Sequence, residues 1–519
     1  MFPTVPSRPV MVLAAAVVTL GLLGACSSSD STGSGPTKPP GTSSEDASTA
    51  SDTPERTVVF EGGEGGIDTF RIPAVGVTPK GTVVVVAEAR SRSPLDTDPH
   101  HLVSKRSTDG GRTWESITDV ARANHPIEGC FPSNPVVTVP TAGDAAGDLI
   151  VVFNPCRDGG GLSQVRSTDD GESWSDPEPL GLAATEAVPA TEVDVLRSGP
   201  GHGIQLTGGP ADGRVVMVAD AGSPGQTTTL ALLLSDDGGA TWRIGASTTV
   251  AADAALDPDE SAVAQLPDGT LLVSSRSASA AASGRIQMLA SSDGEQVIPG
   301  PGGAVLSNAP DLEVPGVEGS VLLIPEQERV VFSSPSDPEF RRGLRLWTTA
   351  NGLSWQAGPV LVPGPAAYSD LARLDDATLA VVVETGDRNP YQRIDFAPVR
   401  IDTLDDEGPA LPPEFDVADA VAGRLVVDGT RYPVTRFCLI SDTVELDGGE
   451  IQVDTTGGLG AVRVDLRLDG TDDAGSTTLA GTIALDLSSG ITYRGPLTDS
   501  SGNDHDIDLV IVNMEPCPN

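Results

Sequence analysis

One eight-residue pattern recurs along the chain and constrains it more than any other feature. It reads STDGGRTW at 107–114, STDDGESW at 167–174 and SDDGGATW at 235–242, with a weaker TTANGLSW at 348–355 and a fragment, SSDGE, at 291–295. Successive copies begin roughly sixty residues apart, the length of one four-stranded sheet with its turns. Each copy reads as a hairpin turn. The Ser and Asp side chains bond the turn backbone, Gly supplies a positive φ, and Trp packs beneath the adjoining strand. Four of the five tryptophans close these motifs.

Between the turns lie strand-like runs such as GTVVVVAEA (81–89), DLIVVFN (148–154), GRVVMVAD (213–220) and GTLLVSSR (269–276). No sustained helical period interrupts them between Thr57 and Asp402. Dividing that stretch by the repeat interval predicts an all-β, six-bladed β-propeller over residues 57–404. After DEGPALPPEF (406–415) the spacing ends. Alternating apolar and polar runs such as AVRVDLRLDG and HDIDLVIVN then predict a small β-sandwich or barrel-like domain over 415–519.

A formal net charge of -41 makes nucleic acid and anionic lipid headgroups poor partners. At the N-terminus, Arg8 precedes an apolar run from Val10 to Leu23 and then LGAC, ending at Cys26. The run is short for a membrane span and suits the apolar part of a signal peptide over residues 1–25. The junction resembles the lipobox of bacterial lipoproteins, which implies lipid modification of Cys26 and an exported chain anchored at the outer face of the membrane. Residues 26–56 are rich in Ser, Thr, Gly and Pro and read as a flexible tether. Cys130, Cys156, Cys438 and Cys517 remain, an even number in an exported chain. Two disulfides follow, with 130–156 and 438–517 keeping each bridge within one domain and other pairings open.

The stretch DTFRIPAV (68–75) places one arginine among apolar residues ahead of a strand. FRIP followed by Asp-box turns resembles the bacterial exo-sialidases, the neuraminidase family of six-bladed propellers, over roughly residues 57–402. The resemblance implies hydrolysis of terminal α-linked sialic acid from glycoproteins, glycolipids or oligosaccharides. An anionic sugar needs local positive charge, and guanidinium groups grip carboxylates bidentately. By resemblance Arg71, Arg276 and Arg341 form the arginine triad, with Arg342 the alternative to Arg341. Arg90 is a further pocket residue, and Glu384 orients Arg71.

The same resemblance assigns Tyr368 as nucleophile, Glu260 as its base and Asp96 as acid/base, with Asp98 as fallback. A carboxylate nucleophile would be repelled by the carboxylate already on the anomeric carbon; a neutral tyrosine is not. Asp96 would protonate the leaving oxygen and then activate water, giving retention of configuration. No metal or cofactor is required. His100 and His101 read as loop residues near Asp96, and SGPGHGIQL (198–206) as a packing segment. Two departures from the family pattern stand out: Asn134, in CFPSNPVV, occupies the place of an expected aspartate, and Ala350 that of the fourth turn's aspartate. The rival function is a non-catalytic sialic-acid-binding propeller serving adhesion, which would be expected to lose Asp96, Tyr368 or Glu260.

Overall fold

A computed structural model describes the chain from Arg56 to Ile511 with breaks, the longer ones at 123–129, 278–283, 412–422, 455–461, 469–476 and 484–490. Cys26, the N-terminal segments and Cys517, and with it the expected 438–517 bridge, lie outside the described residues. The regular secondary structure of the described chain is almost entirely strand. Its first sheet holds Thr69–Val77, Val83–Arg90, His100–Ser107 and Thr118–Ala121, and three five-stranded sheets follow, entered by Ser133–Thr138, Arg197–Ser198 and Pro258–Gln265. A seven-stranded sheet completes a propeller-like arrangement, built around one 18-residue strand, Gln356–Arg373. The first strand of all, Thr57–Glu61, pairs with Arg393–Arg400 and so joins the beginning of the chain to this last sheet.

Val83–Arg90 shows why unbroken apolar runs suit this arrangement. Val83, Val85, Ala87 and Ala89 pack on Ile394, Phe396 and Val382 of the last sheet. Val84 and Val86 face the other way, onto Val137, Leu149 and Val165 of the next sheet. With sheets stacked on both faces, the usual alternation of apolar and polar residues gives way to apolar side chains throughout.

The recurrent turns do the work their composition predicts. Ser107 Oγ donates to Asp109 Oδ1 (2.7 Å) and accepts the Gly111 amide (2.8 Å), while Asp109 accepts the Thr113 amide (3.0 Å) and hydroxyl (2.6 Å). The turns at 167 and 235 repeat this set. Gly111 has φ +85°, and a Cβ there would lie 2.1 Å from the Phe396 ring, so both backbone and space demand glycine. The weak fourth turn departs from the alignment by one residue. Thr349 Oγ1 accepts the Gly352 amide (3.0 Å) and Asn351 Oδ1 accepts the Ser354 amide (3.1 Å), so Asn351 replaces the aspartate absent at Ala350.

At the centre, strands from different sheets converge on Asp370, which is wholly buried. Its carboxylate accepts the Val75 amide (2.8 Å) and the Ser320 hydroxyl (2.8 Å) and meets His202 Nδ1 at 2.7 Å. The packing segment 198–206 therefore includes an axial polar contact. Among the described residues after 422, strands pair antiparallel in chain order from Gly423–Val427 to Asp504–Ile511. The first pairs with the last, closing an eight-stranded barrel.

Two of the turn tryptophans also link neighbouring sheets: Trp114 donates Nε1–H to Thr57 Oγ1 at 3.1 Å and Trp242 to Gln164 Oε1 at 2.9 Å. Trp242→Ala removes that bond and a buried ring. It is expected to cost about 3–5 kcal/mol in urea unfolding; a loss below about 1 kcal/mol would show that the tryptophan does not couple the sheets.

Candidate functional site

The innermost strands share one irregularity. Their pairing slips between Arg71 and Ala74, between Ser133 and Val136, between Pro258 and Ser261, and between Ala366 and Ser369. Such bulges re-aim side chains and leave amides unpaired. Here they present Arg71, Asn134, Asp259, Glu260 and Tyr368 to one cavity of about 350 Å³. Arg90, Asp96, Arg276 and Arg341 line the same cavity.

Buried carboxylates take the freed amides. In FRIP, Ile72 is held at φ +57°, a left-handed conformation rare for a β-branched residue and costing on the order of 1–3 kcal/mol. Glu384, fully buried, accepts the Ile72 amide at 2.8 Å and the Tyr368 amide at 3.2 Å, and ion-pairs with Arg71 Nε at 2.6 Å. Asn134, at φ +53°, gives its amide to Glu88 Oε1 at 2.9 Å. Glu88 also holds Arg90 through Nε (3.0 Å) and Nη2 (2.5 Å).

Tyr368 lies deep in the cavity. Its hydroxyl is 2.8 and 2.6 Å from the two oxygens of Glu260, and Arg276 Nη1 donates to it at 3.1 Å. Arg276 is anchored by Asp259 through Nε (3.0 Å) and Nη2 (2.6 Å) and meets Glu260 at 3.1 Å. Burial pushes the Tyr368 phenol well above its ordinary value, Glu260 adding to the rise and Arg276 opposing it. Burial also raises the Glu260 carboxyl, against the pull of Arg276. For Arg71, burial opposes the charge, but Glu384, Tyr391 and Asp96 outweigh it and its pKa is raised.

Arg341, not Arg342, faces the cavity. Its Nη1 donates to the Tyr391 hydroxyl at 3.0 Å, and its guanidinium carbon lies 5.7 Å from the Tyr368 ring centre. Arg342 turns away to Asp337 (2.7 Å). Asp96 sits exposed at the rim, bound to Arg90 at 2.8 Å. The fallback Asp98 is buried outside the cavity lining, where it accepts the Arg92 amide at 2.8 Å. His100 and His101 open the strand His100–Ser107 rather than lying in the loop, and His100 is buried against Phe131.

Several residues of the site carry no role in the sequence reading. Tyr391 stacks on the Arg71 guanidinium, 4.1 Å from ring centre to carbon; its signal was NPYQ, a turn just after Glu384. Glu88 was visible as the one acid in an apolar run, two residues from Arg90 and so on the same strand face. Asp259 adjoins Glu260. On the far wall Arg197 bridges Asp220 and Asp259, and burial pushes Asp220 up to about 7.

The all-β propeller-like fold thus holds a cavity that gathers several arginines around a tyrosine–glutamate pair. The chain belongs to the BNR repeat-like domain family, whose model matches residues 106–381. It is 27% identical over 369 residues to the sialidase of Micromonospora viridifaciens, covering 64% of this chain and 53% of that protein. It is 28% identical over 401 residues to sialidase-3 of Bos taurus, covering 63% of this chain and 88% of that one. The chain thus spans about half the length of the bacterial relative. Its fold is similar to that of the Hadza microbial sialidase Hz136 (TM-score 0.54, 19% identity, 67% of this chain and 69% of that one). It is also similar to the intramolecular trans-sialidase from Ruminococcus gnavus, crystallised with oseltamivir carboxylate (TM-score 0.51, 16% identity, 67% and 98%).

Glu384→Leu would strand the Arg71 charge and two backbone amides. It is expected to cost about 3–5 kcal/mol in denaturant unfolding, whereas a loss within about 0.5 kcal/mol would show that these groups find other partners.

Proposed function

We propose that this chain is an exo-acting sialidase, a glycoside hydrolase that releases terminal α-linked sialic acid from glycans with retention of configuration. The observation that carries the reading is the Tyr368 hydroxyl held against both oxygens of Glu260, with Arg276 bonded to it and Arg341 beside its ring. Arg71, Arg276 and Arg341 receive the substrate carboxylate. The Tyr368 oxygen attacks the anomeric carbon as Glu260 takes the phenolic proton, which offsets the high cost of ionising a buried phenol. Asp96 protonates the departing oxygen, then removes a proton from the water that cleaves the sialyl–tyrosine bond. Each displacement inverts the centre, so two restore it.

The reading includes a six-bladed propeller. The long strand Gln356–Arg373 pairs with Arg342–Thr349 through its first part and with Thr378–Thr385 through its second. Counted as two blades sharing that strand, the seven-stranded sheet brings the total to six. It also includes export and a lipid anchor at Cys26 on the outer face of a bacterial membrane, supported by the apolar run and LGAC. Labelled palmitate entering wild-type chain but not Cys26→Ser is the expected result in a bacterial host; equal labelling would contradict the anchor.

Turnover of a fluorogenic α-sialoside tests the activity. Tyr368→Phe is expected to lower kcat on the order of 10³ or more, and Asp96→Ala about 10²–10⁴ on a substrate with a poor leaving group. Arg341→Ala should raise KM about tenfold or more, while Arg342→Ala leaves it within about twofold. No turnover with saturable sialic acid binding would instead make the chain a lectin.

A pH profile follows from the same chemistry. Glu260 must be ionised to accept the proton, and burial holds its pKa above the ordinary 4.5. Activity should therefore fall as pH drops through that raised value, at higher pH than a free glutamate would impose. An acid limb at or below 4.5 would contradict Glu260 as the base.

A further inference from the structure

Tyr368 and Ser369 lie in the bulge of the strand Gln356–Arg373, where pairing with Thr378–Thr385 slips between Ala366 and Ser369. Their successive amides go to two different buried carboxylates. Tyr368 donates to Glu384 Oε2 and Ser369 to Glu318 Oε2, each at 3.2 Å. Glu384 belongs to the arginine site; Glu318 lies outside the cavity lining and takes no part in the proposed chemistry.

Glu318 is 2% exposed, and its Oε1 is buried without a hydrogen-bond partner among the described residues. A buried carboxylate left half-satisfied is costly, so its persistence calls for a reason. The surrounding structure is built to hold it in place. Arg285, fully buried, donates to the carbonyls of Val317 (2.9 Å) and Gly319 (3.4 Å), the residues on either side of Glu318, and to the Ser274 carbonyl (2.8 Å). Gly319 permits the approach, since a Cβ there would lie 2.6 Å from the Ser333 carbonyl oxygen. The Ser333 hydroxyl in turn meets that of Ser369 at 2.9 Å.

We infer that Glu318 is a positioning residue for Tyr368. Its carboxylate, fixed by Arg285 through the 317–319 backbone, holds the Ser369 amide and so sets the bulge that aims the phenol at Glu260. The two carboxyl groups clamp the bulge: Glu384 ties it to the substrate-binding arginine, and Glu318 ties it through the 317–319 backbone to Arg285 of the neighbouring sheet. This inference rests on the reading of Tyr368 as nucleophile.

Three variants test it. Glu318→Gln keeps an oxygen acceptor at the same reach. Glu318→Asp keeps the carboxyl group but withdraws it by one methylene, and Glu318→Leu removes the acceptor. Expected are kcat near wild type for Gln and a fall of about tenfold or more for Asp and Leu, with KM little changed because the arginines remain. Crystal structures of the Asp and Leu variants should show the Tyr368 hydroxyl displaced from Glu260. Wild-type kcat in Asp and Leu, or kcat and KM declining together in all three, would overturn the inference. If Leu does not fold, Asp against Gln decides. If the wild-type chain turns over no sialoside, the functional reading fails, while the position of the Tyr368 hydroxyl still decides the role of Glu318: a hydroxyl unmoved in the Asp variant rejects it.

Discussion

Glu384 is the interaction on which the site depends. One buried carboxylate accepts the Ile72 amide, which holds FRIP in its left-handed turn, pairs with the guanidinium of Arg71, and accepts the amide of Tyr368. The backbone strain at Ile72, the charge of Arg71 and the placement of Tyr368 are therefore settled together. An interior carboxylate would be costly alone; with a cation and two amides it is satisfied. The same device recurs at Glu88, which takes the Asn134 amide while holding Arg90. Bulges on the innermost strands free amides, and buried acids collect both the amides and the arginines.

This arrangement explains how so acidic a chain presents a cationic cavity. Arg71, Arg90 and Arg276 are each backed by a carboxylate that orients the guanidinium. Arg341 differs: it leans on the Tyr391 hydroxyl and the Gly316 carbonyl, with no carboxylate partner among the described residues. Its charge is consequently less neutralised than that of its neighbours and is the natural first contact for an incoming anion. Long-range attraction is not available from a net charge of -41, so recognition of an anionic sugar rests on these few groups at short range.

Much of this was legible in the sequence, for reasons that differ by residue. The turns were legible because their chemistry is local: Ser107, Asp109, Gly111 and Thr113 bond one another within seven positions. Even so, the fourth copy was misaligned by one residue, because an Asn followed directly by Gly performs the same bonding in a shorter turn. Arg71, Glu260, Arg276, Arg341 and Tyr368 were selected through resemblance to a family, and the structure brings them into one cavity. Tyr391, Glu88 and Glu318 were not selected, since their partners are remote in sequence and acquire meaning only when the sheets stack. The seven-stranded sheet was equally hidden. Nothing local in Gln356–Arg373 announces that one strand will serve two neighbours.

The most direct measurement is to incubate the chain with a 2,3-difluorinated sialic acid, whose C2 fluoride departs while the C3 fluorine slows release, and to locate any adduct by peptide mass spectrometry. One fluorosialyl adduct on the peptide containing Tyr368, absent from Tyr368→Phe, is the predicted result. An adduct on a carboxylate, or turnover of sialosides with no adduct at Tyr368, would contradict the account.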